Sequence, residues 1–199
     1  MIPFEYPYGS TPLDPDEAID LIPSHITSQS ELNLWEEANI TEASLWGIKH
    51  AQRSKKSSLL TEAFIRELHR KMFNRTWRWS GTFRKSNKNI GVDWPQISIK
   101  LDDLLKNTAY QLNQEIYSLD ELATRFHHQL VWIHPFPNGN GRHARLMTDC
   151  LLISNGGHRF SWGEHRQLTG MDIIRKTYID ALRKADLADF SDLLNFVRS

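Results

Sequence analysis

The sequence contains a single cysteine, Cys150, among its 199 residues. One cysteine cannot form an internal disulfide, and a metal site built from several cysteines is excluded for the same reason. Cys150 falls on the apolar face of a predicted helix, and this position favours a small buried side chain. We therefore expect Cys150 to be structural.

The sequence also lacks an excess of charge of either sign. Lysine and arginine total 24, aspartate and glutamate total 24, and the formal net charge is zero. Binding of duplex nucleic acid through bulk positive charge is therefore not indicated, and only a local basic patch could support it. We do not expect a nucleic-acid partner.

Long apolar runs are missing as well. No stretch is long enough to span a bilayer. The first residues, MIPFEY, have neither the basic region nor the apolar region of a signal peptide. The sequence therefore predicts a protein that works in the cytoplasm without a membrane partner. Its apolar content of 40% is enough to build one compact core.

Helical periodicity, in contrast, is abundant. Apolar residues recur at helical spacing, and capping boxes occur at Ser28 with Glu31 and at Ser118 with Glu121. The predicted helices span residues 15 to about 21, 29 to about 52, 62 to about 73, 98 to about 117, 119–133, 142–154, about 170–185, and a last short helix from about 191. These patterns predict an all-α fold with one small hairpin.

The hairpin is predicted in residues 74–95, which do not follow the helical pattern. Tryptophan, phenylalanine, isoleucine and valine alternate there with arginine and lysine, which is typical of a half-buried β-hairpin. We predict short strands around a polar turn within residues 81–91. A basic aromatic stretch can also stack on single-stranded nucleic acid, and this alternative stays open.

The residues that carry chemistry lie in the turn between two predicted helices. Gly139, Asn140 and Gly141 let the backbone approach an anion without a Cβ in the way. The start of the following helix offers free N–H groups and the positive end of the helix dipole. Arg142 and Arg145 are three residues apart on that helix, so both can reach phosphates of one nucleotide. The turn therefore predicts a phosphate-binding site.

A histidine, His134, lies at the end of the helix that precedes this turn. Its imidazole could deprotonate an attacking hydroxyl. Each feature alone has an ordinary explanation, since a histidine before proline usually just ends a helix and Asn-Gly-Asn-Gly is usually a turn. All of them fall within residues 134–145. Their combination favours a reaction of the phosphoryl-transfer type.

Residues 134–145 resemble the signature of the Fic family (filamentation induced by cAMP), H-x-F-x-[D/E]-G-N-G-R-x-x-R. The stretch reads HPFPNGNGRHAR and matches every constrained position except Asn138. The resemblance extends over about residues 61–196, and residues 81–91 are similar to the family's flap hairpin. Near the start of the chain, TPLDP and ELNLWE resemble a Fic subgroup called mobile mystery protein B.

The resemblance implies a Fic-type helical bundle and an activity, the transfer of AMP from ATP to a hydroxyl side chain of a target protein. Pyrophosphate would be released, and His134 would be the general base for the target hydroxyl. The phosphate-binding residues of the motif would be Gly139, Asn140 and Gly141 for the α-phosphate and Arg142 and Arg145 for the β and γ phosphates.

Asn138 is the one departure from the signature. The family usually has aspartate or glutamate there, which holds Mg²⁺ against the phosphates. An asparagine oxygen can ligate a hard cation but adds no negative charge. The resemblance therefore implies ATP as substrate and Mg²⁺ held through Asn138, with weaker metal binding and weaker AMP transfer than in a relative with a carboxylate.

The resemblance also implies partners and a division of the chain. A target protein would dock on the hairpin at residues 81–92 by strand addition. Residues 1–60 would form an N-terminal arm and helices with a potential inhibitory role, and residues 61–199 the catalytic core of a single compact domain. Many relatives carry an inhibitory glutamate that pairs with the second motif arginine, and the nearest matches here are Glu37 and, second, Glu36. A separate antitoxin, restraining the protein as a toxin, is the alternative form of regulation.

Other functions stay open beside protein adenylylation. The same fold could carry out kinase-like phosphotransfer, as in the death-on-curing relatives, or the removal of AMP from a modified protein. Because Asn138 replaces an acidic residue, the chain could instead be a nucleotide-binding regulatory module with weak or no turnover.

Overall fold

The computed structural model describes residues 11–164 and 171–199. Within these ranges the chain forms eight α-helices and no β-strand, so the predicted all-α fold is confirmed. The α-helices are α1 (Pro15–Ala18), α2 (Gln29–Arg53), α3 (Glu62–Phe73), α4 (Ile97–Asn113), α5 (Leu119–Ile133), α6 (Asn140–Ser154), α7 (Met171–Ala185) and α8 (Ser191–Val197). Short 3₁₀ helices span Lys56–Leu59 and Trp94–Gln96. Residues 1–10 of the predicted arm and residues 165–170 lie outside the described ranges.

Side-chain caps explain why several helices begin where the sequence predicts. Ser28 and Glu31 form the expected capping box of α2, in which each side chain accepts from the other's backbone N–H. The Ser118 hydroxyl accepts from the Glu121 N–H at 3.3 Å, and α5 therefore starts at residue 119 as predicted. Helix α6 begins two residues earlier than predicted, at Asn140.

The core is built around α6, which packs against α2, α3 and α5. Gly47 allows α2 to come close, because a Cβ there would lie only 3.1 Å from Leu68 Cδ1 and 3.2 Å from Cys150 Sγ. Phe136, in the turn between α5 and α6, is completely buried. Burying a side chain of that size contributes about 1.5–3 kcal/mol to the free energy of unfolding. The turn that carries the motif is therefore anchored in the core.

The predicted hairpin is wrong. Residues 81–92, the flap segment, contain no strand, and among the described residues the only β-type pairing is an isolated bridge between Leu21 and Trp77. The backbone N–H of Arg84 donates to Pro135 O at 2.9 Å, and that of Val92 donates to Ile133 O at 3.4 Å. Because these N–H groups bond to the end of α5 and the turn after it, they do not form a ladder between two arms of a hairpin.

Cys150 is completely buried, and burial raises the pKa of its thiol to about 12. This agrees with a structural role, since the reactive form of cysteine is the thiolate. Within residues 11–164 and 171–199, no helix is both long and apolar enough to cross a membrane.

Candidate active site

His134 ends α5 in an unusual backbone conformation, with φ 54° and ψ 60°. Two contacts hold it there. The Arg84 side chain donates from Nε to the His134 carbonyl at 2.7 Å. Gly91 packs so closely that a Cβ at that position would lie 2.7 Å from His134 Cβ. The flap segment therefore fixes the histidine in place even though it forms no strands.

The imidazole of His134 is buried, and both of its ring nitrogens lie close to protein oxygens. Its Nδ1 lies 3.4 Å from the carbonyl oxygen of Val131, which can only accept, so we assign the proton to Nδ1. The other nitrogen, Nε2, is then free to accept and lies 3.0 Å from the Thr11 hydroxyl. Burial lowers the pKa of His134 to about 4, and the nearby positive charges of Arg84 and Lys88 act in the same direction. The ring is therefore neutral near pH 7 and able to take a proton.

The conformation of the turn after His134 is fixed by the side chain of Asn140 and by the close fit of Gly139. The Asn140 side chain exchanges hydrogen bonds with the backbone of Phe136, at 2.9 Å to its N–H and 2.8 Å to its carbonyl. Gly139 has φ 76°, and a Cβ there would lie 2.4 Å from the Phe73 ring, so only glycine fits. The space beside Gly141 is open, since a Cβ there would meet nothing within 4 Å.

The first turn of α6 borders this open space. The first intrahelical hydrogen bond of the helix runs from His143 N–H to the Gly139 carbonyl, at 2.9 Å. The N–H groups of residues 140–142 therefore have no acceptor one turn back in the helix. Such a helix start favours an anion such as a phosphate.

The two motif arginines lie in different surroundings. Arg142 donates from Nη1 to Glu36 Oε2 at 2.6 Å, and it also approaches Asn138 Oδ1 at 3.4 Å. The Arg145 guanidinium lies 4.5 Å from the ring centre of Tyr178. Its Nε is buried without a hydrogen-bond partner among the described residues. A buried donor without a partner is rare, and a ligand oxygen would satisfy it.

Glu36 is buried, whereas its neighbour Glu37 lies on the exposed side of α2. The indole of Trp77 donates to Glu36 Oε1 at 2.7 Å, so both carboxylate oxygens are bound. The sequence does carry a signal for this choice, because Glu36 follows Leu32 by four residues and shares its buried face. Glu36 contacts Arg142, the first motif arginine, and not the second one as the resemblance implies.

Asn138 has its polar atoms occupied by protein groups. Its Oδ1 accepts from the Gly139 N–H at 2.6 Å and from Arg142, and its Nδ2 donates to the Thr11 carbonyl at 3.3 Å. No group of three histidine, cysteine, aspartate or glutamate side chains able to hold a metal occurs in the described part of the chain. One neutral oxygen that already accepts hydrogen bonds does not fit a Mg²⁺ ion held by the protein.

Sequence reasoning missed the residues that cover His134. Residues 11–18, here called the covering segment, lie across the site and the flap segment. The side chain of Lys88 is 2% exposed, and its ammonium group contacts Asp14 at 2.8 Å and Glu17 at 2.5 Å. Thr11 and His134 are 123 residues apart in the chain, and no periodicity or spacing in the sequence reports a contact over that distance.

Comparison with known proteins gives the family context of this site. A curated protein adenylyltransferase Fic of Aedes aegypti is 29% identical over 132 residues, which cover 60% of this chain and 26% of that protein. The protein adenylyltransferase Fic of Nematostella vectensis is 30% identical over 105 residues, which cover 51% of this chain and 25% of that protein. The chain thus spans about a quarter of the length of these curated relatives.

Solved structures show the same architecture. The crystal structure of BepC protein from Bartonella tribocorum, with bound AMPPNP, superposes with a TM-score of 0.64 at 17% identity and covers 87% of each chain. This likeness shows a shared fold. A sequence model of the Fic/DOC family matches residues 59–152, which include the whole motif. The chain therefore carries a domain of the Fic/DOC family.

Proposed function

We propose that this protein is a protein adenylyltransferase, which transfers AMP from ATP to a hydroxyl side chain of a target protein. The observation that carries the proposal is the neutral Nε2 of His134, which lies 3.0 Å from a hydroxyl beside the start of α6. A base, an acceptor hydroxyl and an anion-binding helix start meet there. The names of the curated relatives and the AMPPNP bound to the BepC protein support the same chemistry.

The residues act in a simple order. The α-phosphate of ATP binds at the free N–H groups of residues 140–142, and Arg142 and Arg145 neutralise the β and γ phosphates. His134 Nε2 takes the proton of the target hydroxyl as its oxygen attacks the α-phosphorus. Pyrophosphate leaves with the electron pair of the broken bond. The protein contributes positioning and charge, as is usual in phosphoryl-type transfer.

We further propose that the contact between Glu36 and Arg142 restrains this enzyme. The Glu36 carboxylate pairs with the Arg142 guanidinium, and it therefore occupies the positive group that a phosphate oxygen of ATP would contact. A bound nucleotide must displace this carboxylate from a largely buried position. We therefore assign self-inhibition to Glu36 in preference to Glu37 or a separate antitoxin.

The target protein is proposed to dock on the flap segment. The flap segment lies beside His134, because Gly91 packs against that residue. The covering segment now occupies part of this surface through Lys88. Docking of an external target therefore requires the covering segment to move.

Magnesium belongs to this proposal as the counterion that ATP brings with it in the cytoplasm. Asn138 supplies no carboxylate for it. The same observation favours the second candidate function, a nucleotide-binding regulatory module with weak or no turnover. Phosphotransfer would add a phosphate group to a target protein, and AMP removal would take an AMP group away from it. Both therefore differ from adenylylation, which adds AMP to the target.

Labelled nucleotides and cell lysate test the proposal. Wild type, Glu36→Gly and His134→Ala are incubated with ATP labelled on the α-phosphate, and in parallel with ATP labelled on the γ-phosphate. We expect α-label on lysate proteins with Glu36→Gly and none with His134→Ala. Label from the γ-phosphate alone would indicate phosphotransfer. Binding of ATP by calorimetry without transfer of either label would support the regulatory module.

A further inference from the structure

The chain holds one of its own hydroxyl groups where an acceptor belongs. We propose that Thr11 is an adenylylation site, modified within the same chain by His134 and the motif. The inference rests on the proposed function, because it needs ATP as the AMP donor. It adds a substrate, the first residue of the covering segment.

The position of the Thr11 hydroxyl is the first argument. Thr11 Oγ1 lies 3.0 Å from His134 Nε2, within the reach required of a general base and its substrate. Thr11 is only 8% exposed and His134 only 5%, so water has little access to the pair. The Val131 carbonyl holds the proton of the ring on Nδ1, and the hydroxyl is left to donate to Nε2.

The anchoring of the covering segment is the second argument. Asp14 accepts from the Ser86 hydroxyl at 2.6 Å and pairs with Lys88, while Glu17 pairs with the same lysine. The Trp79 indole donates to the Glu17 carbonyl at 3.1 Å. These contacts tie residues 11–18 to Trp79 and to the flap segment, on the surface where we propose that a target docks. Effective concentrations of well-oriented groups are very high, so a hydroxyl held in this way competes strongly with external targets.

Asn138, the residue that departs from the family signature, is the third argument. Its Nδ2 donates to the Thr11 carbonyl at 3.3 Å, while its Oδ1 faces the N–H of Gly139. The orientation of the amide follows from these partners, one an acceptor and one a donor. A carboxylate could not donate to the Thr11 carbonyl and would repel it. Asparagine at this position therefore suits a site that seats Thr11.

The proposed step balances without another reagent. A bond forms between Thr11 Oγ1 and the α-phosphorus of ATP, and the bond from that phosphorus to the oxygen bridging to Pβ breaks. The hydroxyl proton passes to His134 Nε2, and pyrophosphate leaves. One chain can accept one AMP at this residue, and the rate per chain does not depend on protein concentration.

Peptide mass mapping of the Glu36→Gly protein after incubation with magnesium and ATP tests the inference. We expect the peptide that contains Thr11 to gain the mass of one AMP group. Thr11→Ser, which keeps a hydroxyl, should still be modified, whereas Thr11→Val should lose the modification. Thr27→Val is the matched control, because Thr27 is an exposed threonine whose hydroxyl donates to Glu31 at 3.3 Å.

A mixing experiment tests whether the transfer occurs within one chain. Glu36→Gly protein that also carries Thr11→Val is mixed with His134→Ala protein, which keeps Thr11 but lacks the base. We expect no AMP on Thr11 of the His134→Ala chains. Modification of those chains at the level of the parent protein would overturn transfer within one chain.

The remaining outcomes separate this inference from the proposed function. AMP on lysate proteins with Thr11 unmodified would overturn the inference and leave the proposed function intact. AMP on other residues of the chain, with the same yield in Thr11→Val, would do the same. If neither the chain nor any lysate protein is labelled, the inference and the proposed function are both overturned.

Discussion

The two ends of the candidate site are closed by different kinds of contact. At the acceptor end, a neutral hydroxyl from Thr11 meets a neutral imidazole. At the phosphate end, the Glu36 carboxylate meets the Arg142 guanidinium. Both closing groups come from residues before 59, where the match to the family begins. The family domain therefore supplies the chemical groups, and the preceding part of the chain occupies them.

This difference means that the two ends can be opened separately. The ion pair at the phosphate end competes with a ligand of the same charge as Glu36. The hydrogen bond at the acceptor end competes with a target hydroxyl of the same chemistry as Thr11. Substitutions at one end should therefore change the use of ATP, and substitutions at the other should change the choice of acceptor.

The largest effect is expected from removal of the base that both acceptors share. His134→Ala should lower AMP transfer about a hundredfold to ten-thousandfold, the usual range for loss of general base catalysis. The measurement is the initial rate of α-label incorporation in the Glu36→Gly background. His134→Asn is a second variant, because asparagine tolerates the left-handed backbone found at this residue.

His158→Ala is the control for this prediction, since His158 is exposed and lies outside the motif at residues 134–145. Circular dichroism should show the same helix content in all variants. A folded His134→Ala protein that transfers AMP at the rate of its parent would show that another group takes the proton. The assignment of His134 as the general base would then be wrong.

The next effect is expected at the phosphate end. Glu36→Gln keeps an oxygen for the Trp77 indole but removes the charge that pairs with Arg142. A hydrogen bond to a charged group contributes about 1.5–3 kcal/mol, so ATP affinity should rise about tenfold or more. Calorimetric titration with ATP measures this, and Glu37→Gln, an identical change on the exposed side of α2, should leave the affinity unaltered.

Equal affinities for Glu36→Gln and wild type would contradict the assignment of self-inhibition. The ion pair would then be a structural link between α2 and α6. In that case the free energy of unfolding, measured with denaturant, should fall for Glu36→Gln and not for Glu37→Gln.

The contrast between the two ends also shows what the sequence can and cannot predict. The starts of α2 and α5 follow from local capping pairs, and the spacing of Gly139, Gly141, Arg142 and Arg145 follows from a short motif. Such signals involve neighbours in the chain, so they can be read without the fold. The burial of Glu36 can also be predicted from nearby residues, since Glu36 lies on the same helical face as the other buried positions of α2.

Long-range contacts explain what the sequence did not predict. The flap segment mixes apolar and basic residues as a hairpin does. Its backbone is held instead by the Arg84 side chain, which donates hydrogen bonds to the carbonyls of residues 86, 92, 133 and 134. Those carbonyls lie in the flap segment and at the end of α5, so these hydrogen bonds depend on tertiary structure. The Thr11 contact with His134 has the same character.

Asn138→Asp is expected to act on both ends with a smaller effect. The carboxylate would add the negative charge that Mg²⁺ prefers and would remove the donor to the Thr11 carbonyl. We expect magnesium-dependent incorporation of AMP into lysate proteins to rise severalfold, measured over a magnesium titration at fixed ATP. Asn33→Asp, the same change on an exposed residue of α2, is the control, and an unchanged magnesium response in a folded Asn138→Asp protein would contradict the prediction.

The smallest effect on rate is expected from pH, because the acceptor end is neutral. Burial lowers the pKa of His134 to about 4, so its base form persists through pH 6.5, where an ordinary histidine becomes protonated. The rate of transfer by Glu36→Gly should therefore stay level from pH 8 to about pH 5. A fall in rate with a midpoint near pH 6.5 would mean that the reacting imidazole is solvated and not held under Thr11.

Stability should depend on pH over that same interval even though the rate does not. Between pH 6.5 and about 4 the unfolded chain carries a proton on His134 that the folded chain does not carry. The unfolded state then binds more protons, so the free energy of unfolding falls as the pH falls, by up to about 1.4 kcal/mol per pH unit for one histidine. Buried His127 and His143, with pKa values lowered by burial to about 3 and about 4, act in the same direction. Thermal unfolding at pH 8, 6.5 and 5 should show midpoints that decrease slightly from pH 8 to 6.5 and more strongly from pH 6.5 to 5, and His134→Asn should show a weaker decrease because one of these groups is gone.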